Sequence, residues 1–129
     1  ASNPLNIQKM RLKDNFYTIC NATHDADNHV FEVKLNANHE IYAAHFPDNA
    51  ITPGACTLQM VAEMAQDTTG KCLQLACAKN VKYLAPITPQ NTPCPTFVLN
   101  IKSDGQKYAV KAEVKNGEQV FAKLSLVYE

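Results

Sequence analysis

The side chains best suited to chemistry lie in residues 45–59, which read HFPDNAITPGACTLQ. His45 carries an imidazole that titrates near neutral pH, so it can accept or donate a proton under physiological conditions. Pro53 and Gly54 stand directly before an apolar run and predict the start of a helix. The free N–H groups of such a start, chiefly that of Gly54, can bind an oxygen atom on which negative charge develops. A single histidine in such a segment is more often a loop residue satisfied by a backbone carbonyl, so proton transfer beside an oxyanion site is a hypothesis that these residues alone leave open.

The helix that positions this site is predicted to run from Pro53-Gly54 to about Gly70, a residue type that commonly ends helices. Apolar side chains cover most of its circumference, so we expect the helix to be buried on nearly every side. Its polar residues form one stripe at the spacing i, i+4 and i+7, which consists of Gln59, Glu63 and Gln66. The first two are about 6 Å apart along the helix axis and face the same side.

Alternation of apolar and polar residues predicts strands over much of the remaining chain. It is strongest in TFVLNIK, KYAVKAEVK and QVFAKLSLVY, which are separated by Asp104-Gly105 and Asn116-Gly117, dipeptides that favour tight hairpins. Weaker strands are predicted in NFYTICNA, HVFEVKLN and LQLACAKNVKYL, the last of which precedes a proline-rich loop. One buried helix among about six strands predicts an α+β domain in which a curved antiparallel sheet wraps a central helix. We expect residues 1–129 to form this single domain.

The composition excludes several classes of protein. Lys plus Arg and Asp plus Glu number twelve each, so the chain has no overall basic field to hold a nucleic acid. No apolar run approaches the length of a membrane span and no hydrophobic signal region is visible, so we expect a soluble, cytoplasmic protein. The five cysteines form no CxxC pair, and we interpret them as reduced core residues: Cys20, Cys56, Cys72, Cys77 and Cys94.

Residues 45–66 read HFPDNAITPGACTLQMVAEMAQ and resemble the signature of the 3-hydroxyacyl-acyl-carrier-protein dehydratases of the hotdog fold. That signature runs His-Phe-Pro-Gly-x-Pro-(Ile/Val)-Met-Pro-Gly, with a Glu or Asp five residues later. The order of the predicted elements is also similar over about the whole domain. Three positions depart from the signature, because Asp48 replaces a Gly, Ala50 replaces a Pro, and Gln59 stands where the family has its acid.

The resemblance implies that the chain removes water from a 3-hydroxyacyl thioester to give a trans-2-enoyl thioester, in fatty-acid or polyketide-like synthesis. His45 would take the α-proton, Gly54 N–H would bind the thioester carbonyl, and an acid would protonate the departing hydroxide. Gln59 occupies the acid position and Glu63 lies one turn later, so both are catalytic candidates. No cofactor or metal is implied. The candidates for binding the acyl chain are Phe46, Ile51, Pro53, Ala55 and Leu58.

The missing acid leaves alternatives open. An amide at position 59 has no ready proton to give at neutral pH, and loss of general-acid help costs on the order of 10²–10⁴ in rate. We therefore expect weak or absent dehydratase activity, unless Glu63 reaches the site or a partner chain supplies the acid. Glu63 is otherwise a buried carboxyl satisfied by backbone groups or a tyrosine. The other functions considered are an acyl thioesterase and a non-catalytic acyl-binding subunit that completes an active dehydratase.

The resemblance also implies partners. The substrate would be an acyl thioester on acyl carrier protein or coenzyme A, and neither nucleic acid nor membrane is expected as a partner. A sheet too small to close leaves edges that must be paired or protected, and hotdog domains pair two sheets side by side. We therefore predict at least a homodimer, in which His45 of one chain and helix residues of the other line each site.

Two further motifs have simpler interpretations. His24, Asp25, Asp27 and His29 have the chemistry of metal ligands, but a solvated hairpin turn is the expected structure because Asp and Asn tolerate turn geometry. Cys56 follows the predicted helix start, where a thiolate would be stabilised and His45 could serve as its base. Because no third group is available to orient that pair, we expect Cys56 to be a small packed core residue.

Overall fold

The computed structural model describes residues 11–44 and 50–129. Within these ranges, six strands form one antiparallel sheet in the order β1-β2-β4-β5-β6-β3. The strands are β1 (Tyr17–Asp25), β2 (Asn28–Leu35), β3 (Leu75–Tyr83), β4 (Thr96–Asp104), β5 (Lys107–Asn116) and β6 (Gln119–Tyr128). The helices are α1 (Glu40–Ala44), which the sequence pattern did not predict, and α2 (Gly54–Thr69). The predicted α+β architecture, a curved antiparallel sheet around one long helix, is confirmed.

The core lies between α2 and the inner face of the sheet. Met60, Val61, Met64 and Ala65 are fully buried on the helix, and α2 contacts β4 directly. The alternation predicted for the three C-terminal strands is confirmed over most of their length, so each strand has an inward row of buried side chains between exposed or half-buried ones; in β6 the neighbours Phe121 and Ala122 are both buried. The buried members of these rows are Phe97, Leu99, Ile101, Val110, Ala112, Val114, Ala122, Leu124, Leu126 and Tyr128.

Both ends of α2 lie where the sequence predicts them. Pro53 is the N-cap and has an extended backbone, so the helix begins at Gly54. At the other end Gly70 adopts a left-handed conformation with φ of 70°, and its N–H donates to the carbonyl oxygen of Gln66 at 2.9 Å. This is the geometry in which glycine, lacking a Cβ, is preferred at a helix end.

The interpretation of the cysteines as core residues is wrong for four of the five. Cys20, Cys72, Cys77 and Cys94 are exposed free thiols, and Cys56 is partly buried. The apolar pattern is misleading because Cys77 lies on β3, an edge strand that is exposed on both faces along most of its length. No helix within the described ranges combines the length and the apolar character needed to span a membrane.

Buried tyrosines are expected to make the fold unstable at alkaline pH. Burial raises the pKa of Tyr42 and of Tyr128 to about 12, and it also raises the pKa of Tyr17. The unfolded chain therefore ionises first, near pH 10, so the contribution of these groups is complete below that pH and declines as the pH rises toward 12. Each phenol should cost about 1.4 kcal/mol of unfolding free energy per pH unit in this window.

Urea unfolding at pH 8 and pH 11 measures this effect. Tyr128→Phe should weaken the pH dependence, because it removes one buried phenol with a raised pKa. Tyr108→Phe, on the neighbouring strand and only partly buried, is the matched control and should leave the dependence unchanged. An equal free energy of unfolding at the two pH values would contradict the expectation.

Candidate functional site

The start of α2 presents backbone N–H groups beside an apolar depression. Cys56 N–H and Thr57 N–H both donate to the carbonyl oxygen of Pro53, at 3.0 and 3.2 Å, whereas Gly54 N–H and Ala55 N–H form no hydrogen bond with the described residues. A depression of about 360 Å³ opens at this point. Its lining consists of Ile51, Thr52, Gly54, Thr57, Tyr83, Leu84, Ala85, Pro86 and Ile87. The structure thus brings together two residues predicted for the site, Gly54 and Ile51.

Tyr83, which the sequence analysis did not select, covers the first turn of α2. Its hydroxyl donates to the carbonyl oxygen of Gly54 at 2.9 Å. A Cβ atom added to Gly54 would lie 2.8 Å from the tyrosine ring, closer than ordinary van der Waals contact. Glycine therefore lets the aromatic ring approach the helix, and a larger residue at this position would displace the end of the exposed Tyr83 side chain. The sequence feature that could have identified Tyr83 is its position, since it is an aromatic residue at the end of the strand before the proline-rich loop.

Gly54→Ala is expected to lower the free energy of unfolding by about 1 kcal/mol, because it displaces Tyr83 and breaks its hydrogen bond. Denaturant unfolding of a double-mutant cycle measures the coupling. In a Tyr83→Ala background the same change should be neutral or slightly stabilising, since alanine is the better helix former. Equal effects in both backgrounds would show that the Tyr83 ring does not constrain position 54.

The residues before the helix are held by buried hydrogen bonds. Tyr42 of α1 and Thr52 share a buried hydroxyl–hydroxyl hydrogen bond of 2.9 Å. Thr52 N–H also donates to the carbonyl oxygen of Ile87 at 2.8 Å. The approach to Gly54 is therefore attached both to α1 and to the loop after β3, which fixes the direction in which the first helical N–H groups point.

The remaining predicted substrate-binding residues have mixed positions. Pro53 caps the helix, Ala55 is exposed, and Leu58 is half-buried against the core. None of these three side chains lines the depression at the helix start. His45 and Phe46 lie outside the described residues, so their roles stay predictions.

Glu63 is fully buried and accepts four hydrogen bonds. Backbone N–H groups of Leu12 and Lys13 donate to its carboxylate oxygens at 2.6 and 2.9 Å. The Tyr17 hydroxyl and the Gln59 amide donate to the same carboxylate, each at 3.0 Å. These contacts are those of a carboxyl satisfied by backbone groups and a tyrosine, and they occupy both oxygens. A catalytic role for Glu63 stays a prediction.

Residues 11–17 pack against the polar stripe of α2 at Glu63. Gln59, half-buried, is joined to Glu63 through its amide as described above. One turn further along, the Asp67 carboxylate accepts hydrogen bonds from Arg11 at 3.0 and 3.1 Å and from Lys13 at 3.4 Å. Because these ion pairs are partly exposed, they contribute little energy by themselves. The stripe is therefore where the N-terminal segment attaches to the central helix.

Cys56 has the environment of a packing residue. The thiol is partly buried against the core, and burial raises its pKa. A raised pKa keeps the thiol protonated at neutral pH, which disfavours nucleophilic attack. This agrees with its interpretation as a packed side chain.

The sequence identifies the family. Residues 21–124 match the model of the ApeI-like family, which is described as ApeI dehydratase. The chain belongs to the ApeI-like dehydratase family. No curated protein sequence matches this ApeI-like chain significantly.

Solved structures confirm the hotdog fold of this ApeI-like protein. The dehydratase heterocomplex ApeI:P from Xenorhabdus doucetiae is similar with a TM-score of 0.65 and 17% identity, over 85% of this chain and 95% of that one. An uncharacterized protein from Erwinia carotovora subsp. atroseptica has a TM-score of 0.59 and 16% identity, over 83% and 89% of the two chains. A putative thioesterase from Shewanella oneidensis has a TM-score of 0.53 and 14% identity, over 87% and 80%. At sequence identities of 14–17%, the similarity of these structures to the chain shows a shared fold alone.

Proposed function

We propose that this ApeI-like protein eliminates water from a 3-hydroxyacyl thioester to give a trans-2-enoyl thioester, in fatty-acid or polyketide-like synthesis. The thioester would be carried by acyl carrier protein or coenzyme A. The observation that supports this most directly is the start of α2, where Gly54 N–H and Ala55 N–H have no hydrogen-bond partner among the described residues and lie beside an apolar depression. A thioester substrate needs both features, one for its carbonyl oxygen and the other for its acyl chain.

In the proposed reaction the imidazole of His45 takes the α-proton, and electron density moves onto the thioester oxygen at Gly54 N–H. The helix dipole favours negative charge at this position. The electron pair then returns to form the C2–C3 double bond as the carbon–oxygen bond at C3 breaks, and the departing hydroxide must take up a proton to leave as water. The role of His45 in this reaction is taken from the family signature that residues 45–66 resemble.

The source of that last proton is what limits the proposed activity. The Gln59 amide is engaged with Glu63, and the Glu63 carboxylate accepts four hydrogen bonds. Neither group as placed has a proton to give to the leaving hydroxide. We therefore propose a weakly active homodimer, or alternatively a subunit that binds acyl thioesters and works with an active dehydratase partner. The likeness to a dehydratase heterocomplex supports the alternative.

A coupled assay with purified protein and 3-hydroxyacyl thioesters of several chain lengths tests the function. Slow enoyl formation supports the dehydratase, and no product by the protein alone supports the acyl-binding subunit. Release of free thiol without enoyl formation would contradict both and indicate a thioesterase. The assay therefore separates the three functions in one measurement.

His45→Ala is expected to abolish enoyl formation while leaving the fold intact, because it removes the only proposed base. His39→Asn is the matched control. The ring of His39 accepts a hydrogen bond from Ile41 N–H at 3.0 Å, a contact that an asparagine side chain can replace. Turnover and circular dichroism of both variants decide the question, and full turnover in His45→Ala would reject the proposed base.

The same proposal includes a homodimer formed along β3. This strand is one edge of the sheet, and the exposed large apolar side chains are concentrated on it or directly after it: Leu75, Tyr83 and Leu84. An unpaired edge with apolar side chains favours pairing with another strand. Light scattering at micromolar concentration should give the mass of a dimer.

Leu84→Lys should shift this equilibrium toward the monomer, because it introduces a charge where an apolar contact is proposed. Thr23→Lys, at an exposed position on the opposite edge strand β1, is the matched control and should stay dimeric. A monomeric wild-type protein would contradict the proposed assembly.

A further inference from the structure

We propose that His24 and His29 form a binding site for one divalent transition-metal ion, with Zn²⁺ as the test ion. The two residues lie near the turn between β1 and β2 and share a cavity with Asp67 and Thr68, from the last two turns of α2. The candidate site is therefore at the opposite end of α2 from Gly54, and it is independent of the proposed reaction.

The sheet places the two imidazoles side by side, with their ring planes tilted by 59°. His24 and His29 are direct cross-strand partners in the β1–β2 register, so their side chains emerge on the same face. Their Nδ1 atoms lie 2.7 Å apart, and the ring centroids are separated by 4.9 Å. The edge of the His24 ring also packs against Phe31, at a centroid distance of 5.7 Å. Two ring nitrogens thus lie within hydrogen-bonding distance of each other.

The position of His29 is unusual for a turn residue. Along β2 the buried inward row is His29, Phe31, Val33 and Leu35, so an imidazole occupies the first place in an apolar row. The predicted hairpin turn is present, with residues 24–28 exposed, but His29 is only 8% exposed, so the expectation of a solvated side chain is wrong for His29. A buried polar side chain needs a partner, and among the described residues its hydrogen-bonding partner is His24.

The observed spacing is close to that of two ligands on one ion. Nitrogen atoms that each bind tetrahedral zinc at 2.0–2.1 Å lie about 3.3 Å apart, so the rings must separate by about half an ångström. His24 is exposed and can make that movement. In the metal-free pair one Nδ1 donates its proton to the other. Binding requires this proton to move through solvent to Nε2 of the same ring, so that both Nδ1 lone pairs face the ion.

The surrounding cavity has room for the remaining ligands. It has a volume of about 560 Å³, and Asp14, Asp67 and Thr68 belong to its lining. Among the described residues, Thr68 Oγ1 is a buried side-chain oxygen without a hydrogen-bond partner. The described residues contain no group of three or more His, Cys, Asp or Glu side chains that could hold a metal ion, so the protein would supply only the two imidazoles as direct ligands. Water molecules would therefore complete the coordination, hydrogen-bonded to the Thr68 hydroxyl and the Asp14 carboxylate. Lys13 also lines the cavity, and together with Arg11 it already holds the Asp67 carboxylate.

Calorimetric titration of the full chain with Zn²⁺, after alkylation of the exposed thiols, tests the site. One ion should bind per chain, and both His24→Gln and His29→Gln should weaken binding roughly tenfold or more. His39→Asn should bind as the wild type does. Because His24 is exposed, its variant should fold even if the His29 variant does not, and circular dichroism without metal checks this.

Two further measurements separate the histidine pair from other ligands. Zn²⁺ should raise the melting temperature of the wild type but not that of the His24→Gln variant, since an ion that binds only the folded state stabilises it. Co²⁺ bound to the unalkylated protein should show no thiolate charge-transfer band. Three results would each overturn the proposal. The first is absence of binding, and the second is binding that survives in both histidine variants. The third is a thiolate band that disappears, together with the metal affinity, when the thiols are alkylated.

Discussion

Exchanging the two polar residues of α2, by Gln59→Glu together with Glu63→Gln, is expected to raise the proposed dehydratase turnover on the order of 10²-fold or more. The exchange places a carboxyl group at the position where the family that this sequence resembles has its acid. That group lies one turn nearer the helix start than Glu63, and hence nearer to Gly54 N–H. Enoyl formation by the purified variant measures the gain.

The exchange is a sharper test than Gln59→Glu alone. In the native chain the Gln59 amide nitrogen lies 3.0 Å from a carboxylate oxygen of Glu63. A second carboxyl at position 59 would stand beside that oxygen, and two like charges so close force one group to stay protonated. The single variant should therefore also gain activity, because a protonated carboxyl can donate. The exchange avoids the paired carboxyls, but it replaces one Glu63 oxygen that accepts a backbone N–H with an amide NH2 that cannot accept, so its fold is checked by circular dichroism.

Two controls separate a placed acid from a general effect of charge. Gln66→Glu adds a carboxyl to the same stripe but further from the helix start, and should give no gain. Glu63→Gln alone removes a carboxylate without restoring the acid and should give none either. If the exchange variant folds as a dimer and stays inactive on all chain lengths, the acyl-binding subunit becomes the better account.

Glu63→Ala is expected to lower the free energy of unfolding by about 2–4 kcal/mol. The change leaves Leu12 N–H, Lys13 N–H and the Tyr17 hydroxyl without their acceptor. Each unsatisfied donor costs about 1–3 kcal/mol when water cannot reach it, and the two backbone groups are only partly buried. The loss should therefore lie below the sum of three full penalties. Urea unfolding measures it.

Hydrogen exchange locates the same effect in the structure. The amides of Leu12 and Lys13 should lose protection in Glu63→Ala, because their acceptor is gone, while amides in β4 and β5 keep theirs. Glu118→Ala, in the exposed turn between β5 and β6, is the matched control and should change the stability by less than about 0.5 kcal/mol. A stable Glu63→Ala variant with protected N-terminal amides would show that the carboxylate does not hold this segment.

The secondary structure follows from local signals in the sequence. The alternation in the three C-terminal strands identified their buried faces, and the Asp-Gly and Asn-Gly dipeptides marked the hairpins between them. Pro53 and Gly70 marked the ends of α2 to within a residue. The sequence carries these signals because the backbone preference of a residue and the alternation of buried and exposed side chains depend on only a few neighbouring positions. Helix α1 was missed, since five residues are too few to show a helical period.

The contacts that give the polar residues their roles were decided by the tertiary structure. The sequence put Gln59 and Glu63 on one side of a helix, but it did not show that Leu12, Lys13 and Tyr17 would occupy the Glu63 carboxylate. Nor did it show that Tyr83 would cover Gly54 or that His29 would turn inward. The physical reason is the same in each case. Periodicity determines which face of an element is buried, whereas the group that meets that face is chosen by packing between segments distant in the chain.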